Sequence, residues 1–173
     1  LLCLFPGREY LTLPTLQIKD NFLNKKEFDI IYNNLSRIPF KVSINEQGNF
    51  GFRYDFEHNK ENDWLFKKIK KQFFPEIDFK ISQPCYHWRH NAHRVFSHVD
   101  KRTDYNFLLY LKGKELLYNG TGIYDKHNHL NTYIGFVENR ALFFDGHNNV
   151  HTDLQALGES SPRHTLNIFY KYD

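Results

Sequence analysis

His98-Val99-Asp100-Lys101-Arg102-Thr103-Asp104-Tyr105-Asn106-Phe107-Leu108-Leu109-Tyr110-Leu111 sets two side chains of metal-ligating type a few residues ahead of an unbroken apolar and aromatic run. The run from Tyr105 to Leu111 is short and rich in aromatic residues, and it reads as a buried strand. Downstream, Arg140-Ala141-Leu142-Phe143-Phe144 is a second such run, with His151 after it. Arg163-His164-Thr165-Leu166-Asn167-Ile168-Phe169-Tyr170 is a third, and its last residues alternate. Between them Asn119-Gly120-Thr121-Gly122-Ile123-Tyr124 reads as a glycine turn entering another short strand. A pair of candidate ligands before one strand, a third after another and an arginine on the last is the layout of a small antiparallel β-barrel with a metal in its mouth.

Two imidazoles and a carboxylate suit non-haem Fe(II), because they bind one face of the ion and leave the opposite positions open. An arginine adds a planar cation that takes a carboxylate in two-point fashion. H-x-D alone carries little weight in a chain with 10 histidines, most of which belong to the surface or the core. The order of its neighbours gives it weight. Two histidines compete for the third position. His147 lies in the turn-like Asp145-Gly146-His147-Asn148-Asn149, where a ring is loosely held. His151 follows Val150 and can start a strand that fixes its ring, so the reading takes His151. On a strand, His164 points away from its neighbour Arg163 and is read as structural or exposed.

From Cys85 to Tyr170 the chain resembles the prolyl-4-hydroxylase-like branch of the 2-oxoglutarate/Fe(II)-dependent oxygenase superfamily. The resemblance rests on Cys85-Tyr86, His98-Val99-Asp100, Leu109-Tyr110-Leu111-Lys112, the Asn-Gly-Thr-Gly turn, Asn139-Arg140-Ala141-Leu142-Phe143-Phe144, His151, and Arg163 with its aromatic-ending strand. It implies a mostly β fold with flanking helices, a double-stranded β-helix or jelly roll. It implies that His98, Asp100 and His151 hold Fe(II), that Arg163 pairs the far carboxylate of 2-oxoglutarate, and that Tyr110 and Tyr86 assist. The alternative for each tyrosine is a core residue with its hydroxyl tied to backbone. The resemblance counts His98, Asp100, His151 and Arg163 as catalytic. The implied partners are O2 and 2-oxoglutarate, with ascorbate as an optional activator. The implied reaction is hydroxylation of a C–H bond with release of succinate and CO2. The primary substrate is left open between a prolyl residue of a protein or peptide and a small molecule. Trp88, Arg89, His90 and Arg94 read either as a substrate mouth or as a solvated loop. The segments Tyr86 to His98 and His151 to Arg163 run slightly longer than the family pattern, with Gly158 and Pro162 marking a loop in the second.

At 173 residues the whole chain, 1–173, is expected to form one oxygenase domain, with helical support mainly over 20–75 and the metal-binding β core mainly over 80–171. The 17% aromatic share suits strand-rich packing. No apolar run is long enough to span a bilayer, so no membrane partner is expected. Two cysteines, Cys3 and Cys85, make no disulfide framework, and a cytoplasmic setting is expected. A formal charge of +3 is too mild to indicate nucleic acid. Lys67-Lys68-Ile69-Lys70-Lys71 reads as a solvated helix face.

In the amino-terminal half, Asn24-Lys25-Lys26-Glu27 has the form of a capping box. Phe28, Ile31, Tyr32 and Leu35 share one helix face, and Pro39 lies just beyond. A second helix starts at Asn62 or Asp63, buries Leu65, Ile69 and Phe73, and is closed by Pro75. Phe40 to Tyr54 reads as one or two strands around a turn at Glu46-Gln47-Gly48-Asn49, and Ile77 to Trp88 as the strand leading to the site. Two rival functions stand beside the oxygenase. A cupin-type binding jelly roll would make Arg163 incidental. A nucleic-acid demethylase of the same superfamily would want a basic, aromatic groove and a lid.

Overall fold

A computed structural model describes residues 13–45, 48–89, 97–125, 127–153 and 162–172. Its elements, in chain order, are β1 (Leu16–Lys19), α1 (Lys25–Tyr32), β2 (Lys41–Asn45), β3 (Gly48–Asp55), α2 (Asp63–Phe73), β4 (Phe79–Arg89), β5 (Tyr105–Lys112), β6 (Thr121–Tyr124), β7 (Leu130–Ile134), β8 (Ala141–Asp145), β9 (His151–Asp153) and β10 (Arg163–Tyr172). Seven strands form a large antiparallel sheet in the order β1-β8-β5-β10-β4-β3-β2, and three form a small one in the order β7-β6-β9.

The capping box closes as the sequence predicts. Asn24 Oδ1 accepts from the Glu27 N–H at 2.9 Å, and Glu27 Oε2 accepts from the Asn24 N–H at 2.9 Å. Helix α1 is shorter than its apolar stripe, since Leu35 falls in the following 3-10 turn, Leu35–Arg37, and is buried there. In α2 the stripe Leu65, Ile69 and Phe73 is buried, joined by Phe66. The lysine run is not simply solvated. Lys67 pairs with Asp63 at 2.6 Å, while Lys68 reaches Glu27 of α1 and Lys70 reaches Asp78. Among the described residues no helix is long and apolar enough to cross a membrane.

The large sheet has a core on each face. Phe107, Leu109, Leu111, Phe143, Leu166 and Ile168 pack beneath the helices. Leu108, Tyr110, Leu142 and Phe144 face Ile123, Ile134 and Phe136 on the small-sheet side. This explains why β5 and β8 do not alternate in sequence: a strand covered on both faces needs apolar residues at every position. Phe143 is the aromatic hub under the helices, with ring centroids 5.0 Å from Phe74, 5.1 Å from Tyr105 and 5.5 Å from Phe73. Phe143→Ala is expected to cost about 3–5 kcal/mol, because it removes a fully buried ring that these neighbours cannot all collapse to replace. A denaturant midpoint within experimental error of wild type would contradict this.

Candidate metal centre and its cavity

The metal motif is assembled by one isolated antiparallel bridge. His98 N–H donates to the His151 carbonyl at 2.9 Å and His151 N–H donates to the His98 carbonyl at 2.9 Å. Residues paired this way carry their side chains on the same face, and the two imidazole centroids are 4.5 Å apart. Asp100 lies two residues on, on the same side by strand alternation, and its N–H is held by the Gly146 carbonyl at 2.9 Å. His151 Nε2 is 3.2 Å from Asp100 Oδ2, and His98 Nε2 is 3.8 Å from Asp100 Oδ1. One ligand atom from each residue lies within 4.8 Å of the others. Metal–ligand bonds of about 2.1 Å put right-angle neighbours roughly 3 Å apart, so the set suits a single divalent ion.

Neighbouring groups aim these ligands. His151 Nδ1 is 2.9 Å from the Asn149 carbonyl. A carbonyl only accepts, so Nδ1 carries the proton and Nε2 is left as a lone-pair donor. The Asn106 amide donates to Asp100 Oδ2, and Thr103 Oγ1 donates to Asn106 Oδ1 at 3.4 Å. Burial pushes the Asp100 carboxyl up, but hydrogen bonds from His151, when its ring is protonated at both nitrogens, and from Asn106, with the charge of the imidazoles, outweigh it and hold it below the usual range; a bound metal ion would take the place of the Nε2 proton. Gly146 makes room for this arrangement: a Cβ there would lie 2.5 Å from Asn106 Nδ2 and 2.7 Å from its Cγ. Gly146→Ala is therefore expected to push Asn106 off Asp100. Metal affinity should fall by about 10- to 100-fold, the usual cost of losing an orienting partner, with little change in melting temperature without metal. Unchanged affinity in a metal titration would show that Asn106 does not orient the ligand.

Arg163, only 3% exposed and at the start of β10, lines the same cavity as the triad. Its Nη1 donates to the carbonyls of Asn119 and Gly120, the latter at 2.6 Å, and its Nη2 to Asp153. The Gly120 backbone comes so near β7 that a Cβ would sit 1.8 Å from the Ile134 carbonyl oxygen, so only glycine fits there. Arg163 Nε is buried with no hydrogen-bond partner among the described residues. Burial lowers the guanidinium to about 10, still charged near neutrality. A cavity of about 80 Å³ is lined by the metal triad, Arg163, Arg89, Asp153, His87 and Asn167 among its polar residues, and by Leu108, Phe144 and Phe169 among its apolar ones.

Tyr110 is fully buried behind Arg163, whose Cζ lies 5.8 Å over its ring. Its hydroxyl donates to Thr121 Oγ1 at 2.8 Å, and it stands outside the set of residues that line the cavity. Tyr86 corrects the expectation from sequence. It sits on the other face of β4, packed at the edge of the helix-side core with its ring 5.1 Å from Phe56, and burial raises its hydroxyl to about 12. The reason is strand alternation: His87 and Arg89 point into the cavity, so Tyr86 and Trp88 point away. Trp88 stacks on Phe52 at 4.7 Å and lies parallel to His164 at 5.8 Å. Burial lowers the His164 imidazole to about 4, and it stays on the far face, as expected. Trp88 and Arg89 thus belong to a strand rather than a loop, while His90 and Arg94 lie outside the described residues. His147 is exposed on its turn.

Asn106, Gly146, Asp153, His87 and Asn167 were not singled out from sequence. Asp153 had a signal, since on a strand begun by His151 the residue two further on shares its face. His87 Nδ1 is 3.0 Å from Asn167 Nδ2, and burial followed by the nearby arginines pulls its imidazole well below the usual value. Cys85 is buried, and burial raises its thiol to about 12, so it is not a reactive thiolate.

No family model matches the sequence, and no curated protein matches it. Solved structures do match. The fold is the double-stranded β-helix of the 2-oxoglutarate/Fe(II) oxygenases. Among them, a Pseudomonas putida prolyl-4-hydroxylase is 13% identical, with TM-score 0.63 over 92% of this chain and 93% of that one. A Trichoplax adhaerens prolyl hydroxylase, in complex with a hypoxia inducible factor oxygen degradation domain peptide fragment, is 13% identical, with TM-score 0.66 over 91% and 83%. HygX from Streptomyces hygroscopicus, with nickel, 2-oxoglutarate and hygromycin B bound, is 10% identical, with TM-score 0.65 over 91% and 83%.

Proposed function

We propose that the protein is an Fe(II)- and 2-oxoglutarate-dependent dioxygenase that hydroxylates a C–H bond, with a prolyl residue of a protein or peptide as its substrate. The observation that carries this is one cavity lined by a two-histidine, one-carboxylate cluster and by a buried arginine whose Nε is unpartnered among the described residues. The donor set fits a divalent ion that needs open positions. The Nε/Nη2 edge of Arg163 fits a carboxylate in two-point fashion, since Nε has no partner among the described residues and Nη2 has a second N–H.

In this reading His98, Asp100 and His151 hold the iron, and Arg163 pairs the far carboxylate of 2-oxoglutarate. When bound, the iron and co-substrate supply the oxidising chemistry, in which 2-oxoglutarate leaves as succinate and CO2 and the substrate gains one oxygen atom. The chain positions and shields. The Asn149 carbonyl keeps the proton on His151 Nδ1, and Asn106 holds the Asp100 carboxylate. Leu108, Phe144 and Phe169 present an apolar wall that limits water around the site. Residues 1–173 are taken as a single oxygenase domain, and the need for ferrous iron fits a reducing, cytoplasmic setting. The prolyl assignment is supported by the similarity to prolyl hydroxylases, one with a peptide bound. HygX, with hygromycin B bound, keeps a small molecule as the alternative.

The test is succinate formation from 2-oxoglutarate with Fe(II), ascorbate and O2, alone and with proline-containing peptides, with mass spectrometry of the peptides. Peptide-stimulated succinate and the gain of one oxygen on proline are expected. Stimulation by small molecules alone would move the substrate class. No succinate together with no 2-oxoglutarate binding would hand the fold to the cupin-type binding module.

A further inference from the structure

Arg89 and Arg163 are direct partners across β4 and β10, so two guanidiniums project from one face side by side. Like charges at such a distance repel, and in a buried wall the repulsion is strong. Asp153 lies between them: its Oδ2 accepts from Arg89 Nη1 and its Oδ1 from Arg163 Nη2. The three side chains are 16%, 3% and 13% exposed for Arg89, Arg163 and Asp153.

The sharing of Asp153 decides what Arg163 can offer a ligand. If Asp153 faced Arg163 alone, the two charges would cancel, and an incoming carboxylate would meet a neutral pair while competing for Nη2. With Arg89 holding the other oxygen, the wall keeps one net positive charge. A divalent ion on Asp100 and two neutral imidazoles contributes one more. The two together balance the two negative charges of a dicarboxylic 2-oxo acid, and they leave a monocarboxylic one short.

We propose that Arg89 and Asp153 form a counter-charge pair that sets the affinity and selectivity of Arg163 for the distal carboxylate of a dicarboxylic 2-oxo acid. Arg89 retains Asp153 when the ligand takes the Nε/Nη2 edge of Arg163. Arg89 is in this sense a positioning residue, acting through Asp153. The proposal rests on the oxygenase reading above.

The test is calorimetric titration of the Zn(II)-loaded protein, without O2, with 2-oxoglutarate and with oxalate. Oxalate chelates the same ion and carries no distal carboxylate. Arg89→Gln leaves Asp153 to neutralise Arg163, and 2-oxoglutarate should bind about tenfold more weakly or worse. Arg89→Gln with Asp153→Asn restores the net positive charge, and affinity should return to within about threefold of wild type, a non-additive rescue. Oxalate affinity should stay within about threefold across the three proteins. Circular dichroism melts check that each variant is folded. Wild-type affinity in Arg89→Gln, an unrescued double variant, or parallel losses for oxalate would each overturn the proposal while leaving the oxygenase reading intact. A wild type that binds oxalate and not 2-oxoglutarate would overturn both.

Discussion

His151→Ala is expected to form no succinate from 2-oxoglutarate and to lose metal affinity by well over about a hundredfold, beyond the 10- to 100-fold cost of losing only an orienting partner. In the proposed site the side chain supplies one of three ligands, and it is the best held of them: 7% exposed, with Nδ1 on the Asn149 carbonyl and the ring 5.0 Å from Phe144. The bridge between residues 98 and 151 is made by backbone atoms, so the alanine variant keeps the strand pairing that places His98. The fold should survive, and the stabilisation that added metal gives the wild type should vanish, since a ligand stabilises only what it binds. Thermal melts with and without Mn(II), beside succinate assays, measure both. His147→Ala is the control, because that ring is exposed on its turn and should be dispensable. Wild-type turnover in His151→Ala would remove the metal centre from the argument.

Arg163→Leu should raise the dissociation constant for 2-oxoglutarate on the order of 10²-fold, because two charge-assisted hydrogen bonds are lost and each 1.4 kcal/mol is about tenfold. Affinity for the metal alone should change little. The variant will also be less stable: Nη1 no longer caps the carbonyls of Asn119 and Gly120, and Asp153 keeps only Arg89. Breaking a buried pair from one side costs about 3–5 kcal/mol. Arg163→Lys separates the two effects. It keeps a charge for Asp153 and should recover much of the stability, yet it lacks the planar fork and should remain poor at two-point carboxylate binding. Equal 2-oxoglutarate affinity in wild type, Arg163→Lys and Arg163→Leu would show that the arginine is only a scaffold for the Asn119–Gly120 turn.

The same structure shows how far local pattern carries. The capping box at Asn24, the stripe of α2 and the strand nature of Tyr105–Leu111 are short-range properties, and they were readable because propensity and periodicity act over a few residues. The H-x-D spacing also carries its geometry locally, since residues two apart on extended chain share a face. The end of α1 was less legible: Leu35 continues the helical stripe, but the chain meets the same core from a 3-10 turn. Tyr86 shows where a resemblance outruns the pattern. Its neighbours His87 and Arg89 face the cavity, and one step along a strand reverses direction.

By itself the sequence determined the candidate ligand types of the proposed site, their order, and the strands that carry them, because side-chain chemistry and two-residue alternation are properties of contiguous chain. Only the tertiary structure decided which groups meet. The pairing of β4 with β10 sets Arg89 beside Arg163, and the bridge from residue 98 to 151 closes the triad. The fold of β9 brings Asp153 between the two arginines, and the turn at Gly146 makes space for Asn106. These are contacts between residues far apart in the chain. Their register is fixed by which faces are buried against both cores, and a count of positions along the sequence does not contain it.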